Sequence, residues 1–126
     1  IQDYFRLYGE SKFRELERDT LRSDLPSENM VIATGGGAPC FFDNMDWMNA
    51  NGTTVYIMMP PKALASRLKG SSERPLLNGL EGEELVSFIE TRLADREPFY
   101  KRAKYLVDGI DLTGEKLAAY FRHPLT

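Results

Sequence analysis

Apolar positions along the chain fall into helical and strand-like periods. Ile1, Tyr4, Phe5 and Tyr8 share one face of a short helical piece over residues 1–8, which Gly9 breaks. Glu10 and Ser11 open a second helix to about Leu25, with Phe13, Leu16 and Thr20 at helical spacing. Residues 26–29 read as a loop. Residues 30–34 form a short continuous apolar run, the pattern of a buried strand. Asp43 or Asn44 can cap a helix to about Ala50, and Asn51-Gly52 can stop it. Residues 53–59, Thr-Thr-Val-Tyr-Ile-Met-Met, predict another buried strand. Pro60-Pro61 suits the first turn of a helix over residues 62–68, which places Leu64 and Leu68 at i,i+4. Residues 83–96 predict an amphipathic helix with Leu85, Phe88, Ile89 and Leu93 on one stripe, kinked or restarted at Pro98. Tyr105-Leu106-Val107 predicts a short strand ending at Asp108-Gly109, and Thr113 caps a last helix through Phe121. Strands alternating with helices imply a parallel sheet with right-handed crossovers and flanking helices, an α/β fold.

Two stretches depart from these periods. Gly35, Gly36 and Gly37 end the run at 30–34, and glycine loses the most freedom on folding. Such a run marks either a strained loop with no ligand, or a place where something approaches the backbone closely. Ligands of open α/β sheets sit at the carboxyl ends of the strands. Residues 69–82 hold three glycines, a proline and a serine pair without clear period. They predict a loop long enough to act as a lid.

Composition narrows the classes. The 126 residues suit one small domain, and 42% apolar residues suffice for a single core. A net charge of −3 and a pI of about 5.2 argue against nucleic-acid and anionic-membrane partners. Cys40 is the single cysteine, so no intrachain disulfide forms and a reducing compartment is compatible. No apolar run approaches the roughly 20 residues of a membrane span. The chain begins Ile1-Gln2-Asp3-Tyr4, without an initiator methionine or a signal-peptide pattern. That implies a chain cut from something longer.

Candidate chemistry rests on arginine. His123 is the only histidine and lies three residues before Thr126, which argues against serine or cysteine nucleophile chemistry and against zinc. Cys40 reads as a packed small residue. Arg14 lies on the apolar side of its helix, with Glu17 at i+3 to hold the guanidinium. Arg67 stands at the entrance to the lid, Arg74 within it before Pro75, and Arg96 two residues before Pro98. Taken singly, each arginine is most simply a solvated surface residue. Several beside helix termini and glycine loops suit carboxylate or phosphate recognition, since the guanidinium fork matches both.

Four motifs in register carry a resemblance. They are Gly9-Glu10-x-x-Phe13-Arg14-x-x-Glu17, Thr34-Gly35-Gly36-Gly37-Ala38, Arg74-Pro75-Leu76-Leu77 and Arg96-x-Pro98-x-Tyr100. In this order and spacing the chain resembles the shikimate kinases, from Tyr4 to about Gly109. The resemblance implies a P-loop, nucleoside-monophosphate-kinase-like fold. It implies that ATP phosphorylates shikimate to shikimate 3-phosphate, a step of aromatic amino acid biosynthesis. By position, Arg14 and Arg96 would grip the substrate carboxylate and Glu17 would orient Arg14. Gly35, Gly36 and Gly37 would offer backbone amides to the substrate. Arg74 would close over the ATP phosphates and stabilise charge on the transferring phosphoryl group, and Arg67 would lie near the adenine. A cytoplasmic monomer using ATP and Mg²⁺ is implied, without nucleic-acid or membrane partners.

One departure shapes the expectation. No Gly-x-x-x-x-Gly-Lys-Ser/Thr occurs between Ile1 and Thr126. The P-loop lysine, the Mg²⁺-binding hydroxyl and the substrate-binding aspartate of the family precede the region covered, so no metal ligand is assigned here. The expectation is a single partial kinase domain over 1–126, the C-terminal portion, with its lid at 69–82. Its fold is expected to be incomplete. The strands at Val31 and Val55 would lack their shared neighbour and expose unpaired edges, and this chain alone would be inactive. Two rival readings are a non-catalytic interaction module without a P-loop, and a gluconate-type sugar-acid kinase. The Phe13-Arg14-x-x-Glu17 and triple-glycine pairing argues against the second.

Overall fold

The computed structural model describes residues 2–23, 30–68 and 82–121. Helix α1 spans Gln2–Arg22, followed by a 3₁₀ turn at Ala38–Cys40 and helix α2 at Asn44–Asn51. Strand β1 is Val55–Met58 and helix α3 is Pro61–Leu68. Helix α4 is Gly82–Tyr100, strand β2 is Tyr105–Asp108 and helix α5 is Gly114–Ala119. These residues fall into two compact units.

The first unit comprises residues 1–54 and 96–104. Within α1, Gly9 takes φ 83° and ψ 172°, a backbone that L side chains rarely adopt, so two helical segments join across a kink. This is the break expected at Gly9. The inward face of the second segment includes Arg14 as expected but not Leu16. Leu16 is 44% exposed, whereas the Arg14 and Glu17 side chains are only 12% and 20% exposed. A charge moves inward only with a partner, and these two are paired with each other.

Beyond α1, Ala38, Met45 and Asn44 are buried, Asn44 completely. Asn44 Nδ2 donates to Ala38 O at 2.9 Å, which ties the start of α2 to the 3₁₀ turn. Asn44→Ala is expected to destabilise the full-length protein by about 1–3 kcal/mol, because it leaves a buried carbonyl unpaired. An unchanged denaturant midpoint would remove that tie from the structure's supports. Asp43 stands at the N-cap of α2, yet its side chain makes no cap bond and accepts from Arg22 instead. The Arg22 hydrogen bond lowers the Asp43 pKa, and Arg22's charge adds to this. Folded-state stabilisation from this carboxylate is therefore present above its unfolded pKa and is lost as pH falls through the folded one.

The second unit comprises residues 55–95 and 105–126. β1 and β2 pair in parallel, with Val55 opposite Tyr105 and Met58 opposite Asp108. Val107 is 1% exposed, and Leu85 and Ile89 of α4 are also buried. Gly109 N donates to Met58 O at 2.7 Å. A Cβ at Gly109 would stand 2.6 Å from Met59 Cγ and 2.8 Å from Ile57 Cγ2. Gly109→Ala is accordingly expected to cost about 1–3 kcal/mol by overpacking. A thermal melt matching the natural protein's would mean the strand end yields freely. Thr113 caps α5 as expected, its hydroxyl accepting from Lys116 N at 3.1 Å.

Two expectations change. Residues 30–34 form no strand, and Val31 is 97% exposed. A strand is defined by a hydrogen-bonded neighbour, and no described residue pairs with this run. The parallel sheet of the described residues therefore has two strands, β1 and β2. Pro98 neither ends nor restarts α4, which runs on to Tyr100, with Lys101 N still donating to Glu97 O at 2.8 Å. The lid expected at 69–82 lies outside the described residues except for Gly82, which opens α4. Arg74 and His123 are likewise outside them.

Candidate acceptor-binding site

The expected substrate residues meet in the first unit. Arg14 Nη1 donates to Glu17 Oε1 at 2.8 Å, one helical turn along α1. Glu10 Oε2 lies 3.9 Å from Arg14 Nη2. Arg14 Cζ lies over the Phe41 ring, 4.3 Å from its centroid, and over the Phe13 ring at 5.2 Å. Arg14 Nε is buried without a hydrogen-bond partner among the described residues. The group is thus held between a carboxylate and an aromatic ring, with donor capacity left over.

Each glycine of the run faces a different side chain. A Cβ on Gly35 would meet Glu17 Oε2 at 3.7 Å. On Gly36 it would stand 2.7 Å from Arg96 Nη1 and 3.1 Å from the Tyr100 hydroxyl. On Gly37 it would stand 2.6 Å from both Arg14 Nη1 and Nη2. Real Cβ atoms do not come this close, so a side chain on Gly36 or Gly37 would push a guanidinium out of its present position. The backbone there is turned, with Ala38 N bonded to Gly35 O at 3.3 Å and Cys40 N to Gly37 O at 2.9 Å.

Arg14, Glu17, Gly35, Gly36, Gly37 and Arg96 are therefore gathered together. Arg67 is exposed in the last turn of α3, in the second unit. Two side chains at the site were given no role on sequence grounds. Phe41 covers Arg14, and Tyr100 donates its hydroxyl proton to Gly36 O. The signal for Tyr100 was its i+4 spacing from Arg96, which puts both on one face of a helix. Phe41 had no local signal. Cys40 lies beside the same loop, its Sγ 3.8 Å from Gly36 O. Burial pushes its thiol pKa up, against the opposing pull of Arg96 and Arg14, so it stays protonated at neutral pH. That agrees with a packed rather than a reactive cysteine.

The Arg14 and Arg96 guanidinium groups beside the glycines have the fork geometry that suits a carboxylate or phosphate, with Glu17 and Glu10 both set against Arg14. Among the described residues, no three His, Cys, Asp or Glu side chains are grouped so as to hold a metal ion. No helix of the described residues is long and apolar enough to cross a membrane.

Comparison with known proteins bears on the whole chain. The family model described as shikimate kinase matches residues 1–125. A shikimate kinase of Bacteroides fragilis is 48% identical over 107 residues, covering 84% of this chain and 60% of that protein. The crystal structure of shikimate kinase from Bacteroides thetaiotaomicron superposes with a TM-score of 0.83 at 42% identity. That match covers 94% of this chain and 68% of the crystal chain. The shikimate kinase structure from Aquifex aeolicus gives a TM-score of 0.71 at 31% identity, covering 95% and 68%. The chain spans about three fifths to two thirds of the length of the curated relatives it matches.

These matches correct two expectations. The likeness does not stop between Tyr4 and Gly109, since the family model runs through residues 1–125. The incomplete fold expected of a C-terminal portion is also corrected by the superposition. The superposition covers 94% of this chain at a TM-score of 0.83, which matches the shikimate kinase α/β fold. On the family match and the superposition together, the chain belongs to the shikimate kinase family.

Proposed function

We propose that this protein phosphorylates shikimate with ATP, giving shikimate 3-phosphate and ADP for aromatic amino acid biosynthesis. The observation that carries this reading is the one-to-one facing of Gly35, Gly36 and Gly37 with Glu17, Arg96 and Arg14. Arg14 and Arg96 grip the acceptor's carboxylate through their guanidinium forks. Glu17 orients Arg14, supported by the 2.8 Å bond between them. The three glycines offer backbone N–H groups to the acceptor at a distance that a side chain would forbid. Arg74, in a lid over residues 69–82 of a single kinase domain, closes over the ATP phosphates, and Arg67 lies near the adenine. These two roles rest on the family resemblance.

In the reaction, an acceptor hydroxyl oxygen forms a bond to the γ-phosphorus as the bond to the β,γ-bridging oxygen breaks. ADP leaves with the electron pair, and the hydroxyl proton is released. Positioning and electrostatics supply most of the acceleration in such transfers. The site residues contribute by holding the acceptor's anionic end, so that its hydroxyl stays in line with the phosphorus. The reading includes a cytoplasmic monomer, and the net charge of −3 supports the absence of a nucleic-acid partner.

The test is coupled ADP release by the natural full-length protein, with shikimate and, separately, gluconate as acceptor. Shikimate-dependent release without gluconate-dependent release is the expected outcome. Turnover of gluconate alone would favour a sugar-acid kinase, and turnover of neither would remove the kinase reading.

A further inference from the structure

We infer that Tyr100 is a positioning residue for the acceptor site, its hydroxyl setting the orientation of the peptide between Gly36 and Gly37. The inference rests on the proposed acceptor site and goes beyond it. Tyr100 Oη donates to Gly36 O. That oxygen belongs to the same planar unit as the Gly37 N–H. No peptide bond here is cis, so the Gly37 N–H points to the opposite side of the plane, away from the phenol. Fixing the carbonyl therefore aims the amide.

The peptide between Gly36 and Gly37 differs from its neighbours: Gly35 O and Gly37 O accept backbone N–H bonds from Ala38 and Cys40, and Gly36 O accepts none among the described residues. Turning it over changes ψ of Gly36 and φ of Gly37 in compensation, and both residues are glycines with wide conformational freedom. No side chain on either residue resists the flip. A Cβ at either position would displace the Arg96 or Arg14 guanidinium, so glycine is what leaves both arginines in place. The loop's need for space thus creates a looseness that a hydrogen bond from outside must remove. Only one other side chain approaches the Gly36 carbonyl among the described hydrogen bonds: Cys40 Sγ at 3.8 Å, a weak donor.

The lock also ties the loop to Arg96. Tyr100 and Arg96 are four residues apart in the last turn of α4, and both face Gly36. One helical turn presents a guanidinium for the acceptor's carboxylate and, beside it, the phenol that holds the neighbouring amide. A flipped peptide would present a carbonyl oxygen where the acceptor needs a donor, and binding would weaken while ATP binding stayed the same.

Tyr100→Phe tests this in the full-length enzyme, since it removes the hydroxyl and keeps the ring. The shikimate KM is expected to rise about tenfold, the size of one net hydrogen bond, with the ATP KM and the melting temperature essentially unchanged. p-Aminophenylalanine at position 100 restores an N–H donor and should return KM toward the natural value. Arg14→Lys, measured alongside, separates the two claims. Unchanged KM in Tyr100→Phe with a raised KM in Arg14→Lys overturns the inference and leaves the acceptor site standing. Unchanged KM in both variants overturns the site and the inference with it. A lowered melting temperature with unchanged KM assigns Tyr100 to stability alone and also overturns it.

Discussion

Arg14→Lys is expected to raise the shikimate KM on the order of a hundredfold, with the ATP KM unchanged within about twofold. A hundredfold loss corresponds to about 2.7 kcal/mol, within the range of a charge-assisted hydrogen-bonded pair. Lysine keeps the charge but loses the fork. It also loses the guanidinium whose Cζ lies 4.3 Å from the Phe41 centroid, and its single nitrogen cannot bond Glu17 and an acceptor carboxylate in one plane. Stability should change little, because the Glu17 partner keeps a cation nearby. Steady-state kinetics with each substrate varied in turn checks this. Equal effects on both KM values would remove Arg14 from the acceptor site.

Gly37→Ala is expected to have an effect of similar size by a different route. The added methyl would stand 2.6 Å from both terminal nitrogens of Arg14, so the guanidinium must move. It is the far end of a flexible side chain and can do so, whereas Gly37 itself has φ −84° and ψ −26°, a conformation that alanine adopts freely. The fold should therefore survive while the arginine is displaced. The expected result is a shikimate KM raised about 30- to 100-fold, with an unfolding midpoint close to the natural one. Combined with Arg14→Lys, the two effects should fall well short of adding, since both act on one guanidinium. Full additivity would show that Gly37 serves the site independently of Arg14.

Much of the local structure was legible along the chain, and for a common reason. The break at Gly9, the cap at Thr113, and the segments near Val55, Pro61, Leu85 and Tyr105 all depend on neighbours within a few residues. The inward aim of Arg14 was also legible, from its place beside Phe13 and its i+3 spacing to Glu17. The grouping of Arg14, Glu17, Gly35, Gly36, Gly37 and Arg96 came from the resemblance, and the structure then supplied their distances.

Other features depended on contacts made far along the chain. Residues 30–34 have strand composition but no pairing among the described residues, because a ladder needs a partner and no local pattern supplies one. Asp43 has the chemistry of a cap, yet Arg22, 21 positions away, takes its carboxylate instead. Leu16 faces outward on α1 while a charged pair faces in, since burial follows what lies opposite a side chain and not its hydropathy alone. The placement of Phe41 over Arg14 and of Tyr100 on Gly36 spans 27 and 64 positions of sequence. Helix caps and periods are short-range, so the chain's own order specifies them. Which side chain meets which glycine is a matter of packing between distant segments, and only the folded chain brings them together.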